Sequence, residues 1–128
     1  MFQHLLTVLD HRPNAFRTTV MSMRLGQRFG ARVTLVYVVH RGERDDAGAS
    51  RDAVGRGDAL FARARRVARR LGVACACRFA FGDGTDGMVA EMVTRLACDL
   101  VIVPRADDAG PLADVRRRRS PADVLVCP

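Results

Sequence analysis

The sequence predicts a parallel α/β sheet with helices on both faces. Three observations carry that expectation: short runs rich in Val, Leu and Ile recur along the chain, segments with helical periodicity lie between them, and glycine stands at the helix ends, as in "FGAR" and "LGVA". Strands that alternate with helices of this length pair in parallel through right-handed crossovers.

The first strand is "HLLTVLD", His4 to Asp10. Pro13 then opens a helix, where its missing N–H costs nothing, and the helix runs to Phe29 and stops at Gly30. Ala15, Thr19, Ser22, Gly26 and Phe29 fall on one face at helical spacing. Most of them are small, so this helix should lie close against the sheet. "RVTLVYVV", Arg32 to Val39, is apolar and β-branched enough for an interior strand.

His40 to Asp52 is polar and contains glycine, and the region 40–57 reads as a flexible loop. From about Asp58, Leu60, Ala64, Val67, Ala68 and Leu71 mark a second amphipathic helix that Gly72 ends. Arg63, Arg65, Arg66, Arg69 and Arg70 lie largely off that stripe and read as a solvated face. "VACACRFAF", Val73 to Phe81, is the third strand. "GDGTDG" after it is a turn in which Asp83 or Thr85 caps a helix from about Thr85 to Ala97. Met88, Val89, Met92, Val93 and Leu96 form the buried stripe of that helix, the methionines as core fillers.

"DLVIVP" is the fourth strand. A short helix beginning at Gly110-Pro111 would turn Leu112 and Val115 inward and end in Arg116 to Arg119, where cations suit the helix dipole. Four consecutive residues sweep about 300° around a helix, so those arginines do not share one binding face. The last strand holds Val124, Leu125, Val126 and Cys127.

Composition narrows the function classes. The 128 residues fit one domain that buries a core without disulfides or metal. The formal net charge is +7, and all 21 basic residues are arginine, which reads as a composition bias. Such a surface would attract polyanions without reading bases, so no specific nucleic-acid partner is expected. No membrane-length apolar run and no secretory leader are seen, and a cytoplasmic protein with reduced thiols is the expectation. Cys75, Cys77, Cys98 and Cys127 offer no zinc spacing and read as small buried apolar side chains.

Ligands of open parallel sheets bind beyond the carboxyl ends of the strands. Those ends hold Asp10 and His11, Val39 and His40, Gly82 and Asp83, and Pro104 to Gly110. Asp10, His11 and His40 could gather there as a metal site or an acid/base pair. Coming from separate loops without an H-x-x-x-H spacing, they read instead as polar residues on exposed loops, and no metal is expected. No G-x-S-x-G is present and none of Ser22, Ser50 and Ser120 sits beside a plausible histidine, so no enzyme is expected.

The ordered set "HLLTVLD", "FGARVTLVYVV", "ARRLGVACACRFAFGDGTDGMVAEMVTRLACDLVIVP" and "SPADVLVCP" resembles the universal stress protein family over nearly the whole chain. The resemblance implies a Rossmann-like sheet of five parallel strands in the order 3-2-1-4-5, of the adenine nucleotide alpha hydrolase-like kind. It also implies a homodimer joined through the last strands, here Val124 to Cys127, and ATP or AMP in some members. By family position Asp10 matches the aspartate that ends the first strand and Val38 a backbone contact to adenine.

The family's phosphate loop follows the pattern Gly, two residues, Gly, nine residues, Gly, then Ser or Thr. Here Pro104 replaces the first glycine, Pro111 replaces the hydroxyl residue, and only Arg105 to Ala109 separate Pro104 from Gly110. Proline supplies neither a donor nor positive φ, and Asp107 and Asp108 would repel phosphate. The expectation is therefore a non-catalytic stress-response protein that binds an unidentified protein partner and takes no ATP by the usual loop. Two alternatives stand beside it: a nucleotide-binding member in which Asp10, Val38 and Arg105 contact ATP, AMP or a cyclic nucleotide, and a nonspecific polyanion binder.

Overall fold

A computed structural model describes residues 2–40, 47–82, 86–104 and 122–127. Five strands make one parallel sheet: β1 His4–Leu9, β2 Arg32–Val39, β3 Cys75–Phe81, β4 Leu100–Pro104 and β5 Asp123–Cys127. Their order is β3-β2-β1-β4-β5, as the resemblance implied. Three helices connect them: α1 Ala15–Phe29, α2 Ala47–Leu71 and α3 Asp86–Leu96. The short helix expected after Gly110 lies outside the described residues.

All six residues of β1 are buried, because β1 pairs with β2 on one side and β4 on the other and is covered on both faces. Leu5, Leu9, Val33, Leu35, Tyr37 and Ile102 pack under α1 and α2. Leu6, Val8, Val36, Val38, Val101 and Val103 pack under α3. Period-two side-chain alternation assigns those two sets to opposite faces. Both faces are apolar, so the strands read as near-continuous hydrophobic runs.

The small-residue face of α1 behaves as its spacing predicts. Ala15, Thr18, Thr19, Ser22, Met23 and Gly26 are buried, and a Cβ at Gly26 would come within 2.7 Å of Val33 Cγ2. Close approach also buries hydroxyls, which need partners. Thr7 on β1 donates to Ser22 Oγ at 2.8 Å, and Ser22 in turn donates to the Thr18 carbonyl at 2.8 Å. The helix ends at Gly30 with φ 65°, and the Ala31 N–H returns to the Gly26 carbonyl at 2.8 Å. α2 ends the same way at Gly72, and α3 does so at Ala97, a left-handed residue without glycine's freedom.

At the amino ends of β1 and β4 the Asp99 carboxylate accepts the N–H groups of Gln3 and His4 at 2.8 and 3.0 Å. His4 is itself buried. One ring nitrogen lies 3.0 Å from the Leu96 carbonyl and the other 2.7 Å from Thr34 Oγ1, which ties β1 to the end of α3 and to β2.

The structure corrects four expectations about these elements. Residues 47–57 are the first part of α2, so the loop expected over 40–57 is replaced by helix there; residues 41–46 lie outside the described set. Gly48, Gly55 and Gly57 weaken the helical signal in the sequence, yet Ala53 and Gly57 are buried against the sheet. Gly57 sits against the Phe79 ring, and a Cβ there would collide with that ring and lie 3.1 Å from Tyr37 Cδ1. Next, Cys75 and Cys77 are half-buried on the sheet's outermost strand with their sulfurs 4.0 Å apart, not core residues like Cys98 and Cys127. On α3, Val89 and Val93 are the buried residues, while Met88, Met92 and Leu96 flank them half-buried. Finally, Arg63 holds its guanidinium 3.6 Å from the centre of the Phe16 ring, bridging α2 to α1 instead of being wholly solvated.

Among the described residues no helix is long and apolar enough to cross a membrane.

Two glycines of α2 separate packing from propensity. Gly57→Ala should lower stability by about 1–3 kcal/mol through overpacking against Phe79 and Tyr37. Gly55→Ala, with nothing within 4 Å of the added Cβ, should raise it by about 0.5–1 kcal/mol. Urea unfolding followed by circular dichroism reads both.

Candidate functional site

Asp10 follows β1 directly and is 1 % exposed, so it is a buried carboxylate and not the exposed loop residue expected. Its surroundings satisfy it. Oδ1 accepts the Arg12 backbone N–H at 3.1 Å, the i to i+2 turn that aspartate favours at strand ends. Oδ2 lies 3.4 Å from His40 Nε2 and 3.6 Å from Arg12 Nε. Burial pushes the carboxyl up, but His40, the Arg12 N–H and the charges of Arg12 and His11 together pull harder, so Asp10 lies below the ordinary carboxylate value.

The sheet's register brings the other residues in. β1 and β2 run in parallel with Leu9 opposite Tyr37, so the residues just beyond each strand meet at the same end of the sheet. His11 is exposed and His40 half-buried, and their rings meet edge to face with centroids 5.5 Å apart. One ligand atom from each of Asp10, His11 and His40 lies within 4.8 Å of the others. It is the one such group of three or more donors among the described residues.

A cavity of about 270 Å³ opens beside this cluster, lined among others by His11, Arg12, Phe16, Tyr37, Arg56 and Arg63. Three arginines and an aromatic ring suit a small anionic or planar group. A larger hollow of about 420 Å³ lies around His4, Arg32, Cys75 and Arg95, at the amino end of the strands. The carboxyl-end cavity is the better candidate because it adjoins Asp10 and His11 at the carboxyl end of β1, between the first turn of α1 and α2.

The candidate residues divide. Asp10, His11 and His40 come together. Val38 is buried in the α3-facing core and paired with Ala80 on β3. Pro104 ends β4 opposite Cys127 and is buried. Arg105 and Gly110 lie outside the described residues. Val124, Leu125, Val126 and Cys127 form most of β5, which pairs only with β4 among the described strands; Leu125 is 39 % exposed. Cys75 lowers its neighbour Cys77 to about 7, but the pair brings no third donor.

Sequence reasoning missed Arg12, Phe16, Arg56 and Arg63 as cavity residues. For Arg12 a signal existed: Asp at a strand end sets its carboxylate to bind the N–H two residues on. Arg56 fell within the supposed loop and gave none.

Asp10→Asn keeps the side-chain shape and removes the charge, and should cost about 1–3 kcal/mol at neutral pH. The folded carboxyl lies below its unfolded value, so its contribution is complete above the unfolded pKa and disappears as pH falls through the folded one. The two proteins should therefore converge in stability in strong acid, below the ordinary carboxylate range. Urea midpoints measured from neutral to acid pH check this.

Comparison with known proteins fits this architecture. The universal stress protein family model matches residues 1–128. No curated protein sequence matches the chain. Among solved structures, universal stress protein UspA from Lactobacillus plantarum superposes with TM-score 0.79 at 17% identity, covering 98% of this chain and 97% of that one. A universal stress protein in complex with cAMP gives 0.76 at 17% identity, covering 99% and 97%. A family protein from Burkholderia pseudomallei gives 0.72 at 19% identity, covering 98% and 96%. With a sheet of the same order and a family match from end to end, the chain belongs to the universal stress protein family.

Proposed function

We propose that this protein is a cytoplasmic, non-catalytic binding protein of the stress response that takes no ATP through the family's usual phosphate loop. Pro104 carries the reading. It closes β4 where the loop should begin with glycine, and it is buried and in register with Cys127. A proline there offers no N–H to a phosphate and cannot adopt positive φ. The sequence that follows, "RADDAGP", adds two aspartates and a second proline. The role left to the fold is recognition: its outer surface would engage a partner protein, and its cleft a ligand smaller than a nucleoside triphosphate.

A second reading has one observation in its favour. A similar structure holds cAMP, and one from Archaeoglobus fulgidus holds dAMP, ligands with a single phosphate that make less use of a triphosphate loop. Asp10 and Val38, with Arg105, would make the contacts in that case.

Calorimetry with ATP, AMP and cAMP distinguishes the readings. No binding of ATP at micromolar concentrations is expected; a micromolar ATP complex would defeat the proposal, and binding of AMP or cAMP alone would favour the second reading. Absorbance of the purified protein is a sensitive companion measurement, because a chain with no Trp and one Tyr absorbs weakly beside any retained nucleotide.

We also propose a homodimer through β5. This edge strand exposes Leu125 and leaves one side of its backbone without a neighbour among the described strands, a combination that invites pairing. Leu125→Glu should convert a dimer to a monomer in sedimentation equilibrium while leaving the circular dichroism spectrum intact.

A further inference from the structure

We propose that Asp10, His11 and His40 bind a late first-row divalent metal ion, zinc in the first instance. The proposal goes beyond the reading above and stands whether or not a nucleotide enters the cleft.

Donor chemistry comes first. Two imidazoles and one carboxylate form a nitrogen and oxygen set that suits zinc and its neighbours, and three protein ligands leave a coordination position open. Geometry supports the same assignment. The separation of His40 Nε2 and Asp10 Oδ2, 3.4 Å, is long for a hydrogen bond. It equals the distance between two ligands of a tetrahedral ion, roughly 3.3 Å for bonds near 2.0–2.1 Å. Two of the three donors thus already stand at coordination spacing. The third, from His11, lies within 4.8 Å of both, on an exposed residue with room to change rotamer toward them.

The carboxylate is also held as a ligand should be. Arg12 N–H occupies Oδ1, which orients the group and leaves Oδ2 for the ion. The Arg12 guanidinium opposes a cation. Its Nε stands 3.6 Å from Oδ2, beyond hydrogen-bond distance, and the cavity that Arg12 lines gives the side chain room to withdraw when the ion binds. Arg56 and Arg63 across the cavity add positive potential, and an anionic fourth ligand, hydroxide or a small acid, would offset it at the open position.

The test uses the full chain, stripped of metal with a chelator. Zinc is titrated by calorimetry, and Co²⁺ is followed by its visible absorption. One equivalent should bind, with cobalt bands free of thiolate charge transfer. His11→Gln and His40→Gln, both outside the core, should each weaken zinc by about tenfold or more. The double variant Cys75→Ser, Cys77→Ser should bind zinc as the native chain does. No bound ion, affinity unchanged in either histidine variant, or binding abolished by the cysteine variant would overturn the site.

Discussion

The burial of β1 on both faces and along both edges is the constraint from which the rest of this structure follows. A strand in that position has no access to water, so each backbone group must find a partner in β2 or β4 and each side chain must pack or be satisfied. Thr7 meets the demand through Ser22, and His4 through Leu96 and Thr34. Asp99 then anchors the amino ends of β1 and β4. With its amino end and both neighbours determined, the residues that leave β1 emerge at one defined point, and Asp10 is the first of them.

A carboxylate emerging there must be compensated, because it is still buried. The chain does so with a turn that offers the Arg12 N–H, the guanidinium of the same residue, and a histidine delivered by β2. This set leaves one carboxylate oxygen facing two basic nitrogens at distances too long for strong bonds. The cleft is therefore rich in arginine at its walls and different in character from a loop of glycines that wraps a phosphate. Pro104 reinforces the difference on the β4 side, where it ends the strand without a backbone donor.

The second helix shows how packing overrides local preference. Its first part carries three glycines and reads as loop by composition, since each glycine costs helix stability. In the fold Gly57 is the residue that lets α2 lie against Phe79 and Tyr37, whose rings pack with Phe61. Absence of a side chain, a liability in an isolated helix, is the fit required at that contact. The same logic applies at Gly26 against Val33, but there the neighbouring Thr19 and Ser22 made a small-residue face visible in the spacing.

Strand positions, their parallel pairing, the helix stops at Gly30 and Gly72 and the small face of α1 were legible in the amino-acid sequence, because each depends on periodicity or on the backbone freedom of one residue. Resemblance to a family supplied the strand order, which local pattern does not contain. Residues of the candidate site could be named from their place after strands, but their environment could not. Whether Asp10 is exposed or buried, whether His11 and His40 meet it, and whether Arg56 and Arg63 face it depend on the β1–β2 register and on where α2 begins. Those are contacts between residues distant in sequence, and only the assembled sheet with its helices decides them.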